Sequence, residues 1–364
     1  MNSGKNLPEY SPMIDLDNLD IYTEYDTEKM INHLNGFAEL CRQAWRKAML
    51  IELPGDYADV NRVMILGMGG SAISGDLIAR LTLNESKLPI TVNRSYNLPA
   101  FADNNTLIIA CSYSGYTEET LSALSQALAI GAKCMVVSTG GKLKEIAEEK
   151  NLPLFIFDYK AQPRATLPFS FMAILCTLQR LGIIGDKSAD IAETIRILEQ
   201  LTEQMDIEVP LEKNQAKQIA HKLYGKFIFI YGAEITSEIC YRWKTQFNEN
   251  SKNWAANESF SELNHNTIAG YEFPPGFIED AVVIILRSGL ISKPILARYN
   301  ATCRVFERYK IKYSVIDIGG ENALAQMLSL VLLGDYISYY LAILNKVDPT
   351  PIETIEKLKQ ELRG

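Results

Sequence analysis

Histidine is scarce in this sequence of 364 residues: there are three, His33, His221 and His265. The six cysteines (Cys41, Cys111, Cys134, Cys176, Cys240 and Cys303) are scattered, mostly inside apolar runs, and form no Cys-x-x-Cys pair. Zinc sites and disulfide frameworks need clustered ligands or paired spacings, so neither is expected. Basic residues are outnumbered by acidic ones, 36 to 44, for a net charge of -8 and a pI near 5.2. That balance argues against a nucleic-acid backbone as the main partner. Met1 to Tyr25 is polar and acidic with no signal-peptide apolar region, and no apolar run is read as reaching membrane-spanning length. The expectation is a reduced, cytoplasmic compartment with no membrane partner. What is present is the composition of a globular chain, 47% hydrophobic and 22% charged, long enough for two ordinary domains.

Strand and helix signals alternate along most of the chain. Residues 1–25 read as an extended arm. Thr27 to Met49 reads as one amphipathic helix, with Met30, Ile31, Leu34, Phe37, Leu40 and Cys41 on one face. Strands are expected at Val63–Leu66, Ile90–Val92, Leu107–Cys111, Cys134–Ser138 and Leu154–Phe157, with helices between. Residues 186 to about 225 read as two charged helices separated by Pro210. The strand pattern then restarts at Phe227–Tyr231, Ala281–Leu286 and Tyr313–Asp317. An apolar helix from Asn322 to Leu344 follows, then a last helix from Pro351 to Leu362 with Thr350 at its N-cap. Such repetition implies doubly wound parallel sheets. The expected layout is an arm over 1–25, one α/β domain over 26–185 and a second over 186–364.

The stretch Leu107–Leu121 carries the clearest chemistry. A short apolar run ends in Ser112-Tyr113-Ser114-Gly115-Tyr116-Thr117, and a helix begins with Glu118 and Glu119 in its first turn. Four hydroxyl residues (Ser112, Ser114, Thr117, Thr120) and a glycine cluster there without Lys or Arg. A strand-to-helix turn of this kind aims free N–H groups and short hydroxyls at one spot, which suits an anion such as phosphate. An ordinary N-capped helix would need only one of these hydroxyls.

Gly67-Met68-Gly69-Gly70-Ser71-Ala72 also follows a strand. It keeps only part of a dinucleotide fingerprint, and Ile90–Arg94 supplies no acidic residue for a ribose. It fits a second wall of a phosphate site, with glycine letting the backbone approach a ligand closely, or else a plain tight turn. Arg164, after Pro163, is either a solvated charge or a fork for an anion. The polar block Gln246–Asn266 reads as an irregular loop holding carboxylates, amides and His265, a general acid–base kit without metal spacing. Lys359 shares a helix face with Ile352, Ile355 and Leu362, so it reads as a lysine on an inward stripe that meets a ligand, or as a snorkelling side chain.

Taken together, Gly67–Asp76, Cys111–Thr120, Asn248-Glu249-Asn250 and Glu262-Leu263-Asn264-His265-Asn266 resemble the bifunctional phosphoglucose/phosphomannose isomerases, built from two sugar-isomerase (SIS) domains. The resemblance covers most of the chain; Tyr116 stands where the SIS loop often has Asn. It implies two doubly wound parallel-sheet SIS domains, flavodoxin-like sandwiches, in a homodimer that uses no metal and no cofactor. It implies hexose 6-phosphate substrates and isomerisation through a cis-enediol or enediolate. By motif position, Ser71, Ser112, Ser114 and Thr117 would hold the phosphate beside Gly70. Glu249 would be the base, His265 and Lys359 would serve ring opening, and Arg164 would stabilise the enediolate. The histidine would reach the site from the neighbouring subunit; the family's C-terminal lysine could also align with Lys357, but face geometry favours Lys359. The rivals are a non-catalytic SIS module that binds sugar phosphates and an NAD-dependent enzyme.

Overall fold

The computed structural model describes residues 13–362, which form two compact units. One comprises 35–199 with 320–329. The other comprises 13–34, 200–319 and 330–362. The arm read as extended falls partly outside the described residues; its remainder holds a short helix, α1 (Asp20–Tyr25). The helix expected over 27–49 is two, α2 (Met30–Asn35) and α3 (Phe37–Ala48), because Asn35-Gly36 has the weakest helix propensity in the run. Asp26 starts α2 by accepting the N–H groups of Met30 (2.6 Å) and Ile31 (3.0 Å).

The 35–199 unit is built on a five-stranded parallel sheet in the order β2-β1-β3-β4-β5. Its strands are β1 (Arg62–Leu66), β2 (Ile90–Asn93), β3 (Thr106–Ser112), β4 (Lys133–Ser138) and β5 (Leu154–Ile156). Every residue of β3 is buried, as its continuous apolar run requires of a central strand. Helices α4 (Gly69–Leu81), α5 (Glu118–Ala129), α6 (Gly141–Glu149) and α7 (Leu167–Arg180) cover the sheet. Met64, Leu66, Ile108, Ala110 and Val136 pack against Ala123, Leu124, Ala127, Leu143 and Ala147 on one side. On the other, α4 lies so close that a Cβ on Gly75 would stand 2.9 Å from Val92 and 3.0 Å from Ile65. Helix α8 (Ser188–Met205) follows.

The second unit repeats the plan with a four-stranded parallel sheet in the order β7-β6-β8-β9. Helix α9 (Gln215–Leu223) precedes β6 (Phe227–Gly232) and α10 (Ser237–Glu249). Then come β7 (Ala255–Ser259), α11 (Phe277–Asp280), β8 (Ala281–Ser288), α12 (Lys293–Tyr309) and β9 (Lys312–Ile318). β7 was unexpected: its Ala-Ala-Asn-Glu-Ser sequence is polar, yet it pairs with β6 from Ile228↔Ala255 to Gly232↔Ser259. It is an edge strand with one buried residue, so it shows no apolar run.

Helix α13 (Ala323–Leu344) corrects a further expectation. Its 22 residues are long and apolar enough to cross a membrane, and that window is entirely buried within the protein. It is a core helix, and its one carboxylate, Asp335, is ion-paired to Arg242. The last helix, α14 (Glu353–Leu362), starts two residues after Pro351, so Thr350 is not its N-cap.

Candidate active site

In a sheet ordered β2-β1-β3-β4-β5 the chain leaves β1 in one direction and β3 in the other. The loops at the carboxyl ends of these two strands therefore part, and a crevice opens between them. The turns there are Gly67–Met68 after β1, running straight into Gly69–Ser71 at the start of α4, and Tyr113–Thr117 after β3.

The second loop is held by its own hydroxyls. Ser112 Oγ lies 2.7 Å from Thr117 Oγ1 and accepts the Gly115 N–H at 3.2 Å. Ser114 Oγ accepts the Tyr116 N–H at 3.2 Å. Gly115 has φ +71°, and a Cβ there would stand 1.9 Å from the Gly140 carbonyl oxygen. Beneath it, the β4–α6 turn locks on: Thr139 donates from N (3.1 Å) and Oγ1 (2.6 Å) to the Tyr113 carbonyl, and Leu143 N donates to the Gly115 carbonyl at 3.1 Å. Thr117 is the N-cap residue of α5, yet its side chain makes no cap bond because it is turned to Ser112. The ordinary N-capped helix is thus not what forms, and the α5 N-terminus keeps its N–H groups for another acceptor. Thr120 Oγ1, in the first turn, is buried without a partner among the described residues.

The first loop and the 3-10 turn Pro163–Thr166 complete this edge. α4 is preceded by Met68, which has no group to cap it. A Cβ on Gly70 would meet the Pro163 carbonyl at 3.2 Å and Arg164 Cα at 3.4 Å, a tight fit that glycine relieves where these backbones approach. Arg164 is 3% exposed and is therefore not the solvated turn charge of the blander reading. The structure brings together Gly70, Ser71, Ser112, Ser114, Thr117 and Arg164 on one unit and one sheet edge.

The matching crevice of the other sheet, between β6 and β8, is filled from within. A Cβ on Gly232 would lie 2.5 Å from Cys240 Sγ and 2.7 Å from Thr236 Oγ1. Thr236 Oγ1 donates to the Leu286 carbonyl (3.1 Å), and the Glu234 carboxylate accepts the Ser292 N–H (2.9 Å) at the start of α12. An anion's place is taken there by a carboxylate of the chain itself. A cavity of about 400 Å³ on this unit is lined by Phe229, Tyr231, Tyr271, Phe273 and Phe277 and offers no cation to a phosphate.

Glu249, His265 and Lys359 belong to this second unit. Glu249 is the last residue of α10 and is half-buried. His265 is the last residue of a 3-10 turn, Glu262–His265, and is exposed. Around it Leu263 is buried, Asn264 Nδ2 donates to Thr302 Oγ1 (2.8 Å), and Asn266 Nδ2 donates to Glu262 Oε1 (2.7 Å). The turn is thus anchored while its imidazole faces out. Lys359 is also exposed, and no residue of α14 is buried; Ile355 is 39% and Leu362 78% exposed. Among the described residues, the stripe inferred from periodicity is not buried, so it is not an inward one. Lys357 pairs with Glu353 at 3.2 Å. Among the described residues, no group of three or more His, Cys, Asp or Glu side chains is arranged to hold a metal.

Comparison with known proteins agrees with this architecture. The SIS domain family matches residues 56–177, and the bacterial phospho-glucose isomerase C-terminal SIS domain matches residues 212–362. A bifunctional phosphoglucose/phosphomannose isomerase from Caldicellulosiruptor bescii is 41% identical over 92% of this chain and 98% of its own length. One from Aquifex aeolicus is 32% identical over 86% of this chain and 93% of its own. A hypothetical protein from Thermus thermophilus shares the fold, with a TM-score of 0.71 at 14% identity, over 95% of this chain and 93% of that one. With a curated relative matched almost end to end, the chain belongs to the bifunctional phosphoglucose/phosphomannose isomerase family.

Proposed function

We infer that this protein is an aldose–ketose isomerase that interconverts glucose 6-phosphate, and mannose 6-phosphate, with fructose 6-phosphate. The single observation that carries the reading is the hydroxyl-lined crevice at the β1/β3 switch point, in a chain whose relatives bear that activity in their names. A sugar phosphate's dianion would sit at the α5 N-terminus, accepting from Ser71, Ser112, Ser114 and Thr117 and from backbone N–H groups beside Gly70. The phosphate is remote from the reacting carbons, so its binding energy fixes their position. Glu249 would move the proton between C2 and C1. Arg164 would stabilise the enediolate's negative charge. His265 and Lys359 would pass the ring-opening proton between oxygens. A planar intermediate reprotonated on either face of C2 accounts for both aldoses.

The outward-facing His265 and the uncovered α14 support a homodimer whose sites draw on both subunits. The protein would act in the cytoplasm without metal or cofactor. Calorimetric titration with fructose 6-phosphate tests the phosphate loop. Ser112→Ala and Thr117→Ala should each weaken binding by about 1–3 kcal/mol, the cost of a hydrogen bond to a charged group. Unchanged affinity in both variants would remove this loop from the site. The regulatory alternative, a module that only binds sugar phosphates, would bind normally and turn nothing over.

A further inference from the structure

Glu249 stands between two asparagines, and the structure gives each a task. Asn248 Oδ1 accepts the Ala255 N–H (3.2 Å) at the first residue of β7. Asn250 is fully buried and turns the other way: its Nδ2 donates to Ser338 Oγ (3.0 Å) on α13. Ser338 Oγ in turn donates to the Asp335 carbonyl (2.8 Å), and the Asp335 carboxylate accepts two bonds from Arg242 Nη2 (2.9 and 3.1 Å), two turns before Glu249 on α10. Arg242 and Ser338 are 0% exposed and Asp335 2%. Two turns further on, Asn345 Nδ2 donates to the Ser251 carbonyl (2.9 Å). Trp243 Nε1 donates to the Leu330 carbonyl (2.8 Å), and a Cβ on Gly334 would lie 2.2 Å from that nitrogen, so the two helices meet with no slack.

We propose that Asn250 and Ser338 are positioning residues for Glu249, and that the buried Arg242–Asp335–Ser338–Asn250 chain fixes the carboxylate's height and direction. The proposal rests on the reading of Glu249 as the base. A helix end normally frays, and a general base must sit within hydrogen-bond reach of one carbon-bound proton. The final turn of α10 is instead tied to a core helix by side chains that cannot reach water, so an unmade bond there is expensive and one geometry is strongly preferred.

The test substitutes Ser338→Ala, which removes the acceptor of the Asn250 amide and almost no volume. The matched control is Ser329→Ala in the same helix, where the buried Oγ has no partner among the described residues. Steady-state turnover of glucose 6-phosphate and exchange of its C2 hydrogen with D2O are measured for both, with Glu249→Gln alongside. Ser338→Ala should lower kcat and the exchange rate together by about ten- to a hundredfold, the effect of a misplacement near 1 Å, with KM within about twofold. Ser329→Ala should leave both rates unchanged. If Ser338→Ala does not fold, Asn250→Ser, too short to reach Ser338, is read in the same way. Unchanged kcat in the folded variant, with exchange lost in Glu249→Gln, overturns the positioning role alone. Exchange retained in Glu249→Gln overturns the base assignment and this proposal with it.

Discussion

At the level of single residues, the proposed mechanism divides the work between a carboxylate, Glu249, and an imidazole, His265. Glu249→Gln keeps the shape of the side chain and loses the ability to accept a proton. Substrate affinity should persist while kcat falls by about 10²–10⁴-fold, the usual share of a general base. His265→Ala should impair ring opening instead, and the loss should shrink when the substrate is supplied in open-chain form. Stopped-flow turnover of the two substrate forms reads the difference. The hydroxyls of Ser112–Thr117 were legible in the sequence because a strand, a turn and a helix cap all act within about ten residues. The tasks of Asn248 and Asn250 were not: their partners, Ala255 and Ser338, lie 7 and 88 positions away. The burial of Arg164 was likewise set by packing that local sequence does not encode.

Among the elements, the β3–α5 turn depends on one glycine. Gly115→Ala would require a left-handed alanine and push its Cβ into the Gly140 carbonyl. Denaturant unfolding should show a loss of at least about 2 kcal/mol, and the variant should bind fructose 6-phosphate measurably more weakly. Helix α9 supplies a second case. Lys217 is wholly buried, and its ammonium donates to the Leu16 carbonyl (2.8 Å), the Ile207 carbonyl (2.9 Å) and Asp17 Oδ1 (3.0 Å), near the rings of Tyr22 and Tyr340. Lys217→Met strands those acceptors and should cost about 2–3 kcal/mol, moderated because Asp17 is partly exposed. Burial raises the Asp17 pKa, but bonds from Lys217 and the Leu211 N–H outweigh it and hold the carboxyl below its ordinary value of 3.8. A depressed carboxylate stabilises the fold above that value and loses its contribution as pH falls through the folded pKa. The acid limb of stability should therefore flatten in Lys217→Met. Element positions were readable wherever an apolar run or a 3.6-residue period was present. β7 has neither, and the periodicity of α14 defines a face without saying whether anything covers it.

For the molecule as a whole, the cysteines give a direct measure of how tightly both units are closed. All six are free, and five are buried. Burial pushes the Cys111 and Cys134 thiols up to about 12 and Cys176 up to about 11. Cys303 is only half-buried. At pH 8 a colorimetric thiol reagent should titrate no more than one group quickly in the native protein, absent in Cys303→Ser, and six in guanidinium. The doubled parallel-sheet plan was readable because each half restarts the same strand–helix alternation, whereas the strand order was not. Which half carries the hydroxyl-lined turn was readable from Ser112–Thr117, whereas the closure of the other crevice by Glu234 emerges only from its contact with Ser292. If His265 crosses between subunits, mixing Glu249→Gln with His265→Ala protomers should restore activity, because one site of the hybrid dimer then holds both intact groups.

The central claim, isomerisation through an enediolate, is tested most directly by incubating glucose 6-phosphate with the protein in D2O containing a chelator and following the sugars by NMR. Fructose 6-phosphate and mannose 6-phosphate should both form, deuterium should enter C2 of the recovered aldose, and Glu249→Gln should slow both changes by about 10²–10⁴-fold. Failure to form either product, or turnover with the C2 hydrogen fully retained, would contradict the account.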